Sequence, residues 1–203
     1  MATTHKRIGF FGPFGTFTEQ ALQTQADLAT AELVPFRSVP DVLDAVANGD
    51  VDAGFVPIEN SIEGTVNFTQ DALIFDYELL IQREVVLDIE HCLLARKGTT
   101  LADVTIVHSI PVATAQCSGW LRTNLPHADV QVANSTADAA RTVGRIGAEE
   151  TGMAALAPAN AAALYGLEVI ARDIADHAGN QTRFVLIGKN EIEPKKDANK
   201  ATL

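Results

Sequence analysis

The sequence predicts an α/β protein built as two lobes. Short apolar runs alternate with amphipathic, helix-like segments in both halves of the chain. Each half reads strand, helix, strand, helix, strand, an order that implies a mainly parallel sheet flanked by helices. Between the halves lie two strand-like runs, residues 79–87 and 89–95, with only Asp88 between them and no room for a crossover helix.

Residues 7–11 read as a short buried strand running into Gly12-Pro13-Phe14-Gly15-Thr16-Phe17-Thr18-Glu19. The glycines and proline make a tight turn, and Thr16 followed by Glu19 has the spacing of a capping box. A strand, a Gly-rich turn and a helix N-terminus leave backbone N–H groups directed at an anion. A purely structural turn and cap explains the stretch as well. It has neither the GxGxxG spacing nor the Lys-Ser/Thr of a P-loop, so neither nucleotide motif is present.

Residues 33–36 form the second strand and 39–47 a helix with Val42, Leu43 and Val46 on its apolar side. Residues 51–56 are the third strand. It leads into Pro57-Ile58-Glu59-Asn60-Ser61-Ile62-Glu63-Gly64-Thr65-Val66, a polar loop at the carboxyl end of a central strand. Open α/β sheets place their ligands there. Asn60, Ser61 and Thr65 carry hydrogen-bonding groups for ligand oxygens, and Gly64 permits close backbone approach. A helix over 67–75 follows.

In the second half, residues 104–107 form a strand. Ser109 is a good N-cap for one helix carrying Ala115, Gln116, Trp120 and Leu121, with Pro111 inside its first turn. Residues 130–133 form a strand, and a capped helix begins at 134–138 and ends near Gly144 or Gly147. Strand 153–157, an Ala-rich helix over 158–165 and strand 167–171 complete the set. Asp176-His177-Ala178-Gly179-Asn180-Gln181-Thr182-Arg183-Phe184 then gathers an acid, an imidazole, an amide, a hydroxyl and a guanidinium before a buried strand at 184–187. The expected division is 1–84 for the first part of lobe 1 and 85–175 for lobe 2. Residues 176–190 are the return crossing and final strand of lobe 1, and 191–203 a polar tail. Ligand groups of the two lobes are expected to face a cleft.

Composition narrows the function. The 203 residues are 47% hydrophobic and 20% charged, enough for a core of ordinary size. A net charge of −11 without Lys/Arg clusters argues against a nucleic-acid partner. An acidic chain still binds anionic metabolites where a few Arg residues and helix N-termini converge. Cys92 and Cys117 form no CxxC and sit in apolar surroundings, which suits buried thiols rather than a disulfide or a metal site. There is no HExxH and no ligand set at metal spacing. Residues 1–7 run polar into Ile8 and no apolar run is long enough for a membrane, so the cytoplasm is the expected location and no membrane partner is expected.

Four clusters together resemble the prephenate dehydratase family. They are Gly12-Pro13-Phe14-Gly15-Thr16-Phe17-Thr18, Pro57-Ile58-Glu59-Asn60-Ser61 with Gly64, Ser109-Ile110-Pro111 with Gln116-Cys117, and Asn180-Gln181-Thr182-Arg183-Phe184. Ser135-Thr136-Ala137-Asp138-Ala139-Ala140 lies between the third and fourth, and the resemblance covers about residues 6–188. It implies a fold like that of the type II periplasmic binding proteins and conversion of prephenate to phenylpyruvate, water and carbon dioxide. Two departures stand out. Ile110 occupies the place of a common family histidine, and nothing after Gly188 matches the phenylalanine-binding ACT domain of the usual family chain. Feedback inhibition through such a domain is therefore not expected.

The resemblance makes Thr182 the expected catalytic residue, as hydrogen-bond donor to the leaving hydroxyl. Arg183 is expected to hold a substrate carboxylate with its planar fork. Asn60, Ser61 and Thr65 would orient the ring and carboxylates, the helix starts at Thr16 and Ser109 would hold charge, and Gln116 adds a contact from the second lobe. Glu59, Gly64 and Phe184 are expected to support the site, and Asp176 and Asn180 to fix the turn that carries Thr182. The chemistry requires no cofactor. The expected partner is the dicarboxylate prephenate; the oligomeric state is open, a homodimer being one option. The alternative is a non-catalytic two-lobed domain that binds or senses a small anion, which would need Arg183 but not Thr182.

Overall fold

A six-stranded mixed sheet organises the first of two units in the computed structural model, which describes residues 6–146 and 152–190. This unit comprises the residues up to Gly12, Thr18–Leu87 and those from Gln181 onward. Its strands are β1 (Arg7–Phe11), β2 (Glu32–Phe36), β3 (Ala53–Asn60), β4 (Gly64–Thr65), β5 (Leu80–Asp88) and, from the end of the chain, β11 (Gln181–Gly188). The order is β2-β1-β3-β11-β5, with β4 hung on β3. The pairs β1–β2 and β1–β3 are parallel, as expected of strands joined by helical crossovers. Strand β11 runs antiparallel to β3, so the sheet is mixed rather than mainly parallel. That pairing brings together residues more than a hundred positions apart.

Helix α1 (Phe17–Gln23) precedes β2, and α2 (Val39–Asn48) covers the sheet. The hydroxyl of Ser38 caps α2 by accepting from the Asp41 N–H, and Gly49 at φ 82° ends it in the left-handed turn that favours glycine. Val39, Val42, Leu43, Ala45 and Val46 form its buried stripe. Gly54 of β3 makes the close approach possible, since a Cβ there would lie 2.8 Å from a Val42 methyl. The expected helix over 67–75 is shorter: α3 (Asn67–Asp71) passes into a π-helical turn, Ala72–Asp76.

The second unit comprises Pro13–Phe17 and Asp88–Asn180. Its sheet runs β10-β6-β9-β7-β8, formed by β6 (Cys92–Ala95), β7 (Ile106–Ser109), β8 (Asp129–Val132), β9 (Met153–Ala157) and β10 (Glu168–Ala171). Strand β7 is parallel to β8 and β9, whereas β6 is antiparallel to β9 and β10. Apolar clusters centred on Leu93, Val107 and Leu156, and on Leu94, Ala140 and Ala155, form its core. The helix expected after Pro111 is two helices, α4 (Pro111–Gln116) and α5 (Ser118–Asn124), parted at Cys117. Ser135 caps α6 (Thr136–Arg145), and α7 (Asn160–Tyr165) follows β9. Gly147, the alternative end of α6, and the tail at 191–203 lie outside the described residues.

The segment Pro13–Phe17, expected with the first lobe, belongs to the second unit. The Tyr165 hydroxyl donates to the Phe14 carbonyl at 2.7 Å, and Gly15, at φ 86°, packs where a Cβ would meet the Tyr165 ring at 3.0 Å.

Candidate active site

Strand β3 does not stop before its polar motif. It continues through Pro57, Ile58, Glu59 and Asn60 because β11 pairs with it there: Thr182 opposite Asn60 and Arg183 opposite Glu59. Asn60 then ends the strand with an Asx-type turn, its Oδ1 accepting from the N–H groups of Ile62 at 2.9 Å and Glu63 at 3.0 Å. The same side chain donates from Nδ2 to Thr182 Oγ1 at 2.8 Å and to the Gln181 carbonyl at 3.2 Å. Ser61 fastens the turn from the other side. Its N–H donates to the Gln181 carbonyl at 2.8 Å, and its hydroxyl oxygen accepts from the Gln181 N–H at 2.9 Å. Gly64, at φ 84°, and Thr65 return the chain as β4, with Thr65 opposite Glu59. Thr182 is thus half-buried, with an oxygen that accepts from an amide and an O–H left to donate.

Successive residues of a strand face opposite sides of a sheet. Thr182 lies with Asn60, whereas Arg183 lies with Glu59 on the other face. The Arg183 guanidinium contacts Glu59 at 2.8 Å and Glu84 at 3.4 Å, joining β11 to both of its neighbours, β3 and β5. Arg183, expected to hold a substrate carboxylate, has its fork on two carboxylates of the sheet. Phe184, past a bulge, is buried and stacks on Phe55 with centroids 5.5 Å apart.

The remaining expected residues lie in the second unit. Gln116, at the end of α4, receives two hydrogen bonds on Oε1: from Asn180 Nδ2 at 3.0 Å and from His91 Nε2 at 2.9 Å. His91, Gln116 and Asn180 are all buried. Burial lowers the His91 pKa, the bond to Gln116 opposing it, and Phe17 meets the imidazole edge-on with centroids 5.4 Å apart. The Asn180 carbonyl accepts from the Ile89 N–H at 2.8 Å, a bond within the second unit. Thr16 is buried and donates to the Pro13 carbonyl at 3.0 Å.

Two expectations in this unit are corrected. Ser109 does not cap α4; Ile110 holds the cap position, and the buried Ser109 hydroxyl donates to the Leu156 carbonyl at 2.8 Å, tying β7 to β9. Asp176 does not fix the turn at Thr182. Its carboxylate accepts from the N–H groups of Gly119 at 2.7 Å and Trp120 at 2.9 Å and from the Ser118 hydroxyl at 3.3 Å, which caps α5. The Gly119 N–H is the main cause of its lowered pKa.

Sequence reasoning missed Glu84, His91 and Tyr165. A histidine directly before the apolar run 92–95 was the available signal for His91. A cavity of about 660 Å³ in the second unit, lined by Pro111, Leu121, Leu125, Val130 and Val132 among others, contains none of the expected residues. Among the described residues no cluster of His, Cys, Asp and Glu is arranged to hold a metal ion, and no helix is long and apolar enough to cross a membrane.

The family model for prephenate dehydratase matches residues 8–192. Among curated relatives, the prephenate dehydratase of Mycolicibacterium gilvum is 40% identical over 205 residues, covering 96% of this chain and 65% of that protein. Among solved structures, prephenate dehydratase from Arthrobacter aurescens in complex with L-Phe superposes with a TM-score of 0.83 at 38% identity, covering 94% of this chain and 62% of that one. GqqA, described as a novel type of quorum quenching acylase, superposes with a TM-score of 0.79 at 31% identity, covering 92% of this chain and 67% of that one. The chain spans 63–65% of the length of its Mycolicibacterium relatives.

Proposed function

Because the chain belongs to the prephenate dehydratase family, we propose that it converts prephenate to phenylpyruvate, carbon dioxide and water, with Thr182 as hydrogen-bond donor to the leaving hydroxyl. The observation that carries this reading is the 2.8 Å bond from Asn60 Nδ2 to Thr182 Oγ1, which joins two of the family's signature motifs at one point of the sheet.

In the reaction the ring carboxylate breaks its C–C bond and leaves as carbon dioxide. The electron pair moves into the ring and expels the hydroxyl on the far carbon, which takes up one proton to become water. Aromatisation supplies the driving force, so the protein's task is to hold a dianion and stabilise the departing oxygen. A threonine hydroxyl is too weak an acid to be a proton reservoir at neutral pH. A fixed donor aimed at developing negative charge is nevertheless worth about 2.7–4 kcal/mol in a preorganised site. The Asn60 amide prepares that donor in two ways. It holds the Thr182 oxygen in place, and by donating to it strengthens the O–H as a donor.

Ser61, Thr65, Thr16 and Gln116 are the proposed substrate contacts. Arg183 is assigned to the sheet with Glu59 and Glu84, and Ser109 to the β7–β9 pair. No residue role in this scheme calls for a bound cofactor. The test is formation of phenylpyruvate from prephenate by the purified chain without added cofactor. A flat trace from demonstrably folded protein would overturn the reading.

A further inference from the structure

We propose that the outer side of α3 and of the π-helical turn after it is a docking surface for a basic amphipathic helix of another protein, centred on Phe68, Ile74 and Phe75. Docking there is independent of the dehydratase chemistry, since none of these residues belongs to the proposed site.

Three large apolar side chains stand in water on one short stretch: Phe68 is 57%, Ile74 68% and Phe75 77% exposed. The local backbone explains why they gather. Thr69 and Ala72 are buried and Leu73 packs on the core of the first unit, so the inner side keeps α-helical spacing up to there. The π-helical turn is closed by the Tyr77 N–H on the Ala72 carbonyl at 3.0 Å. That wider turn delays the return to the core by one residue, to Tyr77, which packs against the same cluster. Ile74, Phe75 and Asp76 therefore face outward in succession. Single exposed apolar residues are ordinary, whereas a group of this size marks an interaction surface.

Charge identifies the occupant. Residues 38–82 carry nine Asp and Glu and no Lys, Arg or His. Asp71 and Asp76 are exposed in the same stretch, and neither has an ion-pair partner among the described residues. Asp41 and Asp44 of α2 lie close by. The Tyr77 hydroxyl donates to Asp44 at 2.8 Å, and that bond, burial and the charges of Asp44, Asp76 and Asp41 push the phenol up to about 12. An apolar centre with an acidic rim suits a partner with apolar residues along one side and Lys or Arg beside them. It does not suit an anionic membrane, whose surface potential opposes the same carboxylates. A second copy of this face would set rim against like-charged rim, in a chain of net charge −11. The surface is a short helical rod, so a helix packed across it, ridges into grooves, is the fitting shape.

The test uses the full chain and a fluorescein-labelled helical peptide of Leu and Lys, about five turns long, with its leucines along one side. Fluorescence anisotropy is expected to show saturable binding that weakens as salt is raised. Phe75→Ser should weaken it about tenfold, as expected of one partly buried aromatic side chain. Asp71→Asn combined with Asp76→Asn should weaken it less and flatten the salt dependence. Ile74→Asn is the second apolar variant should Phe75→Ser not fold, and circular dichroism checks both. A shuffled peptide of the same composition, with no leucine stripe, should bind about tenfold more weakly than the amphipathic one. Equal binding of the shuffled peptide, or undiminished binding by the folded apolar variants, would reduce the attraction to charge alone and overturn the proposal. No binding at all would overturn it too. So would a wild-type dimer in sedimentation that Phe75→Ser dissociates, since the occupant would then be a second copy.

Discussion

Asn60 and Thr182 stand directly opposite each other in the antiparallel pair of β3 and β11, and a 2.8 Å hydrogen bond from amide to hydroxyl joins them. The same amide builds the turn at Ile62 and Glu63. Asn60→Ala should therefore act on both levels. We expect kcat to fall at least tenfold, together with a loss of about 1 kcal/mol of stability from the broken turn and cross-strand bonds. Steady-state kinetics and urea unfolding check the two separately; an unchanged kcat would detach Asn60 from the chemistry.

Arg183 gives the contrasting case. Its ion pairs with Glu59 and Glu84 are 30–43% exposed, so together they are worth at most about 1 kcal/mol. Arg183→Met should lower stability by that order and leave KM for prephenate within about threefold of wild type, since the guanidinium lies on the face away from Thr182. A KM rise near a hundredfold at undiminished stability would put Arg183 back on the substrate.

Asp176 makes a pH-dependent contribution whose sign is fixed. Its carboxyl is held below its ordinary value by the Gly119 N–H, so the stabilisation is present above the unfolded pKa of about 3.9 and is lost as pH falls through the lower folded value. Asp176→Ala should cost about 1 kcal/mol at pH 7, toward the low side of a helix cap because the side chain is exposed. The gap between variant and wild type should shrink below about pH 4, as thermal unfolding across pH would show.

The thiols are expected to be inert in the folded protein. Burial, reinforced by the Asp176 charge, pushes Cys117 up to about 12, and burial with the hydrogen bond to Glu90 pushes Cys92 up to about 11. Few thiolates exist at pH 8, and the nucleophile is the thiolate. An aromatic disulfide reagent should titrate both cysteines only after unfolding; reaction of native protein at the unfolded rate would contradict their burial. Because the folded values are raised, the associated stability holds below the unfolded pKa of about 8.5 and declines above it.

The strand and helix order was legible because apolar periodicity is local. Pairings over long sequence separations were not. Nothing near Pro57–Asn60 announces that the motif is itself strand, because its partner begins at Gln181. Thr182 and Arg183 are neighbours in sequence, yet adjacency within a strand is what separates them onto two faces. The break at Cys117 was hidden because the carboxylate that caps the second helix comes from Asp176. His91 gave too little signal alone, since its meaning depends on Gln116 and Asn180, which reach it only in the fold.

The most direct measurement of the central claim is phenylpyruvate formation by Thr182→Val, with prephenate binding measured alongside. Valine keeps the shape and removes the hydroxyl. The account predicts a fall in kcat of about a hundredfold or more, with affinity changed only a few-fold. A variant that turns over within about threefold of wild type, or loses rate only in step with binding, would contradict it.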